Sequence, residues 1–127
     1  MTLADIEASF ANFARLGIGV LAVSDDPYPP ELRRAIVQTA ARQKIPAIYS
    51  ARMFIDDGGL MSFGLDLVPA WRDAGDYAGK LLKGAKPDDL PVLRPTKIEL
   101  TINRAAVKAA NIALPEAIAS RASEAVN

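Results

Sequence analysis

The sequence predicts an α/β domain in which a parallel sheet carries helices on both faces. Three short apolar runs, 18–23, 45–49 and 60–64, lack polar alternation, as strands covered on both sides do. Around them apolar residues recur at helical spacing. The order helix, strand, helix, strand, short helix, strand, helix is that of successive strand–helix crossovers.

Thr2 and Asp5 have the spacing at which each side chain can satisfy a free amide at a helix start. Leu3, Ile6, Phe10, Phe13 and Ala14 then give one apolar face, and Gly17 suits the left-handed residue that ends the helix. "IGVLAV", 18–23, reads as the first strand. "SDDPYPP" is a turn, with Pro29 and Pro30 placed for the first turn of a helix whose inner stripe is Leu32, Ala35, Ile36, Thr39 and Ala40. Arg33, Arg34, Gln38 and Arg42 are expected to face water.

"IPAIY", 45–49, is the second strand, "ARMFIDDGG" one helical turn with a glycine break, and "LMSFG", 60–64, the third strand. Leu67, Val68, Trp71, Ala74, Gly75, Ala78, Leu81 and Leu82 then form the clearest amphipathic helix, ended by Gly84. Residues 85–97 carry three prolines and no periodicity, which predicts an extended connector. "IELTI", 98–102, alternates as an edge strand does, and two short alanine-rich helices broken at Pro115 follow. Three glycines between 58 and 64 mean either a turn or a backbone that crosses something closely.

The 127 residues suffice for one buried core, and fifteen basic side chains balance fifteen acidic ones. That balance offers no footprint for nucleic acid or anionic lipid. No apolar run reaches the roughly 18 residues of a membrane span. Without cysteine or histidine, disulfides, thiolate nucleophiles, zinc clusters and histidine bases are excluded. The chain is expected to be no enzyme and to need no cofactor or metal.

Ligands of open parallel sheets bind beyond the carboxyl ends of the strands. Here those ends bring Asp25 and Asp26, Tyr49 and Ser50, and the stretch Ser62, Phe63 and Asp66. Carboxylates, hydroxyls, two rings and open glycine backbone suit a small polar or zwitterionic solute better than a phosphate. Asp25 and Asp26 can equally cap the helix that follows, as can Asp66, and Tyr49 can equally be packing.

The phrases "IPAIYSARMFIDDGGLMSFGLDL", "LLKGAKPDDLPVLRPTKIELTIN" and "RAAVKAANIALP" resemble the C-terminal part of bacterial ABC transporter substrate-binding proteins, in the group that includes binders of tryptophan and other small solutes. The resemblance runs from about Ile6 to Ala122. It implies one lobe of a type I periplasmic-binding fold, in which solute sits between two lobes and closure presents the complex to a membrane permease. By this resemblance Asp25 or Asp26 faces the cleft, Asp66 lies just past a strand that crosses the hinge, and Tyr49, Ser62 and Phe63 occupy cleft-wall positions. Residues 1–64 would then be the lobe core, 65–84 a helix packing on a first lobe this sequence does not include, and 85–127 a connector, edge strand and terminal helices.

The resemblance implies a periplasmic location, whereas the N-terminus lacks the pattern of an export signal, so the chain as it stands is expected in the cytoplasm. With the first lobe outside the sequence, the stripe through Leu67, Trp71, Leu81 and Leu82 is expected to make a homodimer. Two other functions compete: a flavodoxin-like phosphoacceptor whose paired acids hold Mg²⁺, and a folded fragment that binds nothing and only oligomerises.

Overall fold

The computed structural model describes residues 2–24 and 27–126, with the side chains of 124 and 125 excepted. Helix α1, Leu3–Arg15, starts in the expected capping box: the Asp5 amide donates to Thr2 Oγ1 at 3.3 Å and the Thr2 amide to Asp5 Oδ2 at 2.7 Å. Gly17 ends it at φ +65°. Strand β1 is Leu21–Val23 and helix α2 is Pro30–Arg42. Strand β2, Ala47–Tyr49, leads to the single turn α3, Met53–Asp56, and then to β3, Met61–Leu65. Helix α4, Leu67–Leu82, is followed by a 3-10 turn at Pro87–Asp89 within an otherwise extended connector. Strand β4, Ile98–Asn103, the short helices α5, Arg104–Ala109, and α6, Glu116–Ala119, and strand β5, Glu124–Val126, complete the chain.

The strands form one sheet in the order β1-β2-β3-β4-β5, with β1/β2, β2/β3 and β4/β5 parallel. Two expectations are corrected. Residues 98–102 are not an edge strand, because β5 pairs beyond β4; a strand of three residues is too short to announce itself by alternation. The first strand is shorter than 18–23: Ile18 and Val20 are 39% and 65% exposed, since β1 is the edge and only one of its sides is paired.

The chain divides into two compact units, Met1–Gly64 with Glu99–Asn127, and Leu65–Ile98. The first holds the core, where Ile6 and Phe10 of α1 meet Ile36, Val37 and Ala40 of α2, Ala47 and Tyr49 of β2, and Phe54 of α3. Burying side chains of this size contributes about 1.5–3 kcal/mol each for the larger ones. The second unit has no buried residue. A segment that short cannot enclose a core of its own.

The glycines are there for close approach. A Cβ on Gly64 would lie 1.7 Å from the Ser50 carbonyl oxygen, and one on Gly59 would lie 2.7 Å from the Phe54 carbonyl oxygen and 2.8 Å from the Tyr49 ring. Gly58, at φ +98°, supplies the turn between α3 and β3. So β3 returns to the sheet through a gap already filled by β2 and α3.

Gly64→Ala is expected to lower the unfolding free energy by about 1–3 kcal/mol, because backbone must move to admit the methyl group. Gly79→Ala, whose added Cβ would meet nothing within 4 Å inside α4, should instead be neutral or stabilise by about 1 kcal/mol. Urea denaturation of the two variants beside the parent checks both signs.

Candidate functional site

In the first unit the three parallel strands end side by side. Val23 is in register with Tyr49, and Tyr49 with Ser62. Their carboxyl ends therefore share one rim, where Ser24, Ser50 and the Phe63–Gly64 stretch succeed one another across the sheet. The short βα connections there are the ordinary place for a ligand in an open parallel sheet.

The pleat decides which of the expected residues reach solvent. Tyr49 and Ser62 stand opposite one another on the covered face and are 2% and 3% exposed. Neither presents its side chain as a cleft wall, which corrects that expectation. The Tyr49 ring stacks on Phe54 with centroids 4.7 Å apart and planes 13° from parallel, and Phe54 meets Tyr28 edge-on. Burial pushes the Tyr49 phenol up to about 12, so it stays neutral at any physiological pH. Phe63, one residue on, takes the opposite side and is 55% exposed. Asp25 and Asp26 lie outside the described residues. Ser50 Oγ is buried and makes no hydrogen bond among the described residues.

Asp66 belongs to the second unit, and its carboxylate is already engaged there. Oδ1 accepts the Val68 amide at 3.0 Å as the N-cap of α4, and Oδ2 accepts Lys97 Nζ at 2.8 Å. The Asp66 amide donates in turn to the Lys97 carbonyl at 2.9 Å. The Lys97 hydrogen bond, helped by the Val68 amide, holds the Asp66 carboxyl below the usual carboxylate range. Asp66 thus ties the start of α4 to the segment leading into β4.

The same unit carries an apolar groove of about 460 Å³. Ala74, Tyr77 and Leu81 of α4 form one wall, and Leu90, Val92 and Leu93 of the connector form the other. Tyr77 Oη donates to the Pro91 carbonyl and holds the connector along the helix. Trp71 and Leu82 stand outside the groove, 74% and 90% exposed, so the stripe of α4 is uncovered.

The reading of Arg33 as part of a solvated helix face is corrected, since its side chain is 15% exposed, whereas Arg34 faces water at 62%. Both guanidiniums donate to Asp57, Arg33 to Oδ2 and Arg34 to Oδ1, the latter at 3.2 Å. Asp57 is nearly buried, and the bridge clamps α2 to the end of α3. Desolvation works to raise the Asp57 carboxyl, but the Arg33 and Arg34 bonds outweigh it and hold it low. The adjacent acids Asp56 and Asp57, facing two adjacent arginines, were the signal in the sequence. Nothing local fixed which acid would turn inward.

A family model described as ABC transporter substrate binding protein matches residues 1–126. Among solved structures the fold is similar to a conserved domain protein from Vibrio cholerae O1 biovar El Tor, at 24% identity and a TM-score of 0.83 over 98% of this chain. It is equally similar, at 23% identity and 0.83 over 98%, to the ABC domain from Streptococcus pneumoniae in complex with L-Trp. The ligand-free, open structure of a substrate binding protein with adhesive properties from Clostridium difficile follows, at 21% identity and 0.67 over the full chain. This chain spans only 42%, 43% and 42% of those three chains. No curated protein sequence matches it at a significant level.

Asp57→Asn should destabilise the fold by about 2 kcal/mol at neutral pH, since it removes a charged acceptor of two hydrogen bonds. A carboxyl whose folded pKa is depressed contributes stability above its unfolded value, and that contribution is lost as pH falls through the folded pKa. The difference between parent and variant should therefore be constant from pH 5 to 7 and shrink below about pH 4. Chemical denaturation at pH 7, 5 and 3 measures it.

Proposed function

The chain belongs to the ABC transporter substrate-binding protein family, whose members bind solutes for transport and do not transform them, and we propose that it supplies one wall of such a binding site. The observation that carries this reading is the family match over residues 1–126, combined with a parallel sheet whose strand ends share one rim. The proposed solute is small and polar or amino-acid-like. A relative in fold holds L-Trp, and the rim offers an exposed ring, Phe63, beside open backbone at Gly64. Asp25 and Asp26 are the proposed partners of a solute's positive group. Asp66 serves first as the cap and Lys97 partner described above, and it reaches solute only if it gives up one of those bonds.

In a complete uptake system the partner of such a protein is an ABC permease, and the location is the periplasm. Both are proposals for this chain. None of the described helices is long and apolar enough to cross a membrane.

The stripe of α4 calls for a cover. Each large side chain brought from water into full burial gains about 1.5–3 kcal/mol, and Leu67, Trp71, Leu81 and Leu82 are all at least 40% exposed. A second lobe of the family fold is the natural cover. For the chain alone we assign that place to a second copy, through the same four residues.

Two measurements test these readings. Calorimetric titration with the twenty amino acids should show weak binding, in the high micromolar to millimolar range, because one wall supplies only part of the contacts and none of the closure. Binding confined to metal ions or nucleotides would contradict the solute reading. In sedimentation, Trp71→Glu should weaken association through α4 by roughly 100-fold, as loss of a central aromatic anchor does; unchanged association would remove α4 from the interface.

A further inference from the structure

Met53 stands where a methionine is open to oxidation, and its sulfur already has a partner. The sequence has three methionines, and the two described ones differ in access. Met61 is half-buried within β3. Met53, the first residue of α3, is 48% exposed, while the next residue, Phe54, is buried in the core. Oxidation of thioethers follows exposure.

Although exposed, the sulfur is held. Arg33 Nη1 donates to Met53 Sδ at 3.3 Å. Arg33 Nε donates at the same time to Asp57, whose other carboxylate oxygen takes Arg34. A guanidinium is a rigid planar fork, so fixing Nε on a nearly buried carboxylate also fixes where Nη1 points. One N–H therefore rests against the thioether from the side of α2. A thioether is a weak acceptor, and this bond adds little to stability. Its consequence is chemical. Sulfur carries two lone pairs on opposite sides of its C–S–C plane; one is covered by Arg33, and the other is left for a reagent.

We propose that Met53 is a reversible oxidation site, with Arg33 as the residue that positions its sulfur. The oxidant is a hydroperoxide. The free lone pair of Sδ attacks the outer peroxide oxygen; the S–O bond forms and the O–O bond breaks. With hydrogen peroxide, the departing hydroxide takes the proton from the transferred oxygen and leaves as water. Sulfur loses two electrons and the peroxide gains them. A dithiol reverses the change, returning the thioether and water while it becomes a disulfide. That dithiol belongs to a separate reductase, since this chain has no cysteine. Because attack comes from one side, one of the two sulfoxide epimers dominates. Rotation about the Cγ–Sδ bond then brings the sulfoxide oxygen to Arg33 Nη1, and a charge-assisted hydrogen bond replaces a weak one. Oxidation thus turns a flexible apolar side chain into a polar, chiral one on the clamp between α2 and α3. None of the residues assigned to solute or to α4 takes part.

Hydrogen peroxide at about 10 mM, added to the folded chain and to the chain unfolded in urea, tests this, with tandem mass spectrometry reading each methionine. In the folded chain Met53 should oxidise at least about tenfold faster than Met61, and in urea at about the same rate. After digestion, the two epimer-specific sulfoxide reductases divide the product. One of them should restore at least about four-fifths of Met53 from the folded chain, against about half from the unfolded one. Arg33→Lys keeps a cation for Asp57 but lacks the fork that also reaches the sulfur. It should bring the two epimers to about equal amounts with an unchanged circular dichroism spectrum. If Arg33→Lys does not fold, the comparison of folded and unfolded parent decides alone. Equal epimers from the folded parent would overturn the proposal. So would Met53 oxidising no faster than Met61, or an Arg33→Lys chain that folds and still gives one epimer.

Discussion

The approach of the Gly64 backbone to the Ser50 carbonyl is the constraint from which the rest of the first unit follows. Tyr49 and Phe54 fill the space above β2 with a stacked pair, and α3 closes over it. The chain returns to pair with β2 at Met61 and Ser62 between two close approaches that leave no room for a Cβ, at Gly59 and at Gly64. Because β3 is held that closely, Tyr49 and Ser62 are forced onto the covered face and Phe63 onto the open one. The residues that a solute can meet are therefore a consequence of core packing. A bulkier β3 would shift register, and a one-residue slip would exchange Ser62 and Phe63.

The division into two units follows from the same sequence logic. The first unit owns every buried residue; the second owns none and is held by Asp66, Lys97 and the Tyr77–Pro91 bond. Its apolar stripe is left exposed, and this chain spans 42% and 43% of the two similar chains with a TM-score of 0.83.

Much of this was legible beforehand. The capping box at Thr2 and Asp5, the proline start of α2, the left-handed glycines at 17 and 84 and the cap at Asp66 are local, and local chemistry is what a sequence displays. The glycines at 58, 59 and 64 stand out in the sequence, but only three-dimensional packing says what they approach. The misses are all non-local. Whether β4 is an edge depends on a three-residue strand, and whether Arg33 is solvated depends on which acid α3 turns toward it. The strands end at Val23, Tyr49 and Leu65, close to where the apolar runs end in the sequence. The side-chain directions at Tyr49 and Ser62 were not legible, because an unalternating strand gives no clue to its pleat.

The carboxyl rim of β1, β2 and β3 is the proposed place where solute meets this chain. Amide chemical-shift mapping of the 127-residue chain during titration with L-tryptophan tests it most directly. Saturable shifts should concentrate at Ser24, Ser50, Phe63 and Gly64. Shifts confined to the opposite end of the sheet, around Lys44, Pro46 and Leu60, or to the α4 groove would contradict it.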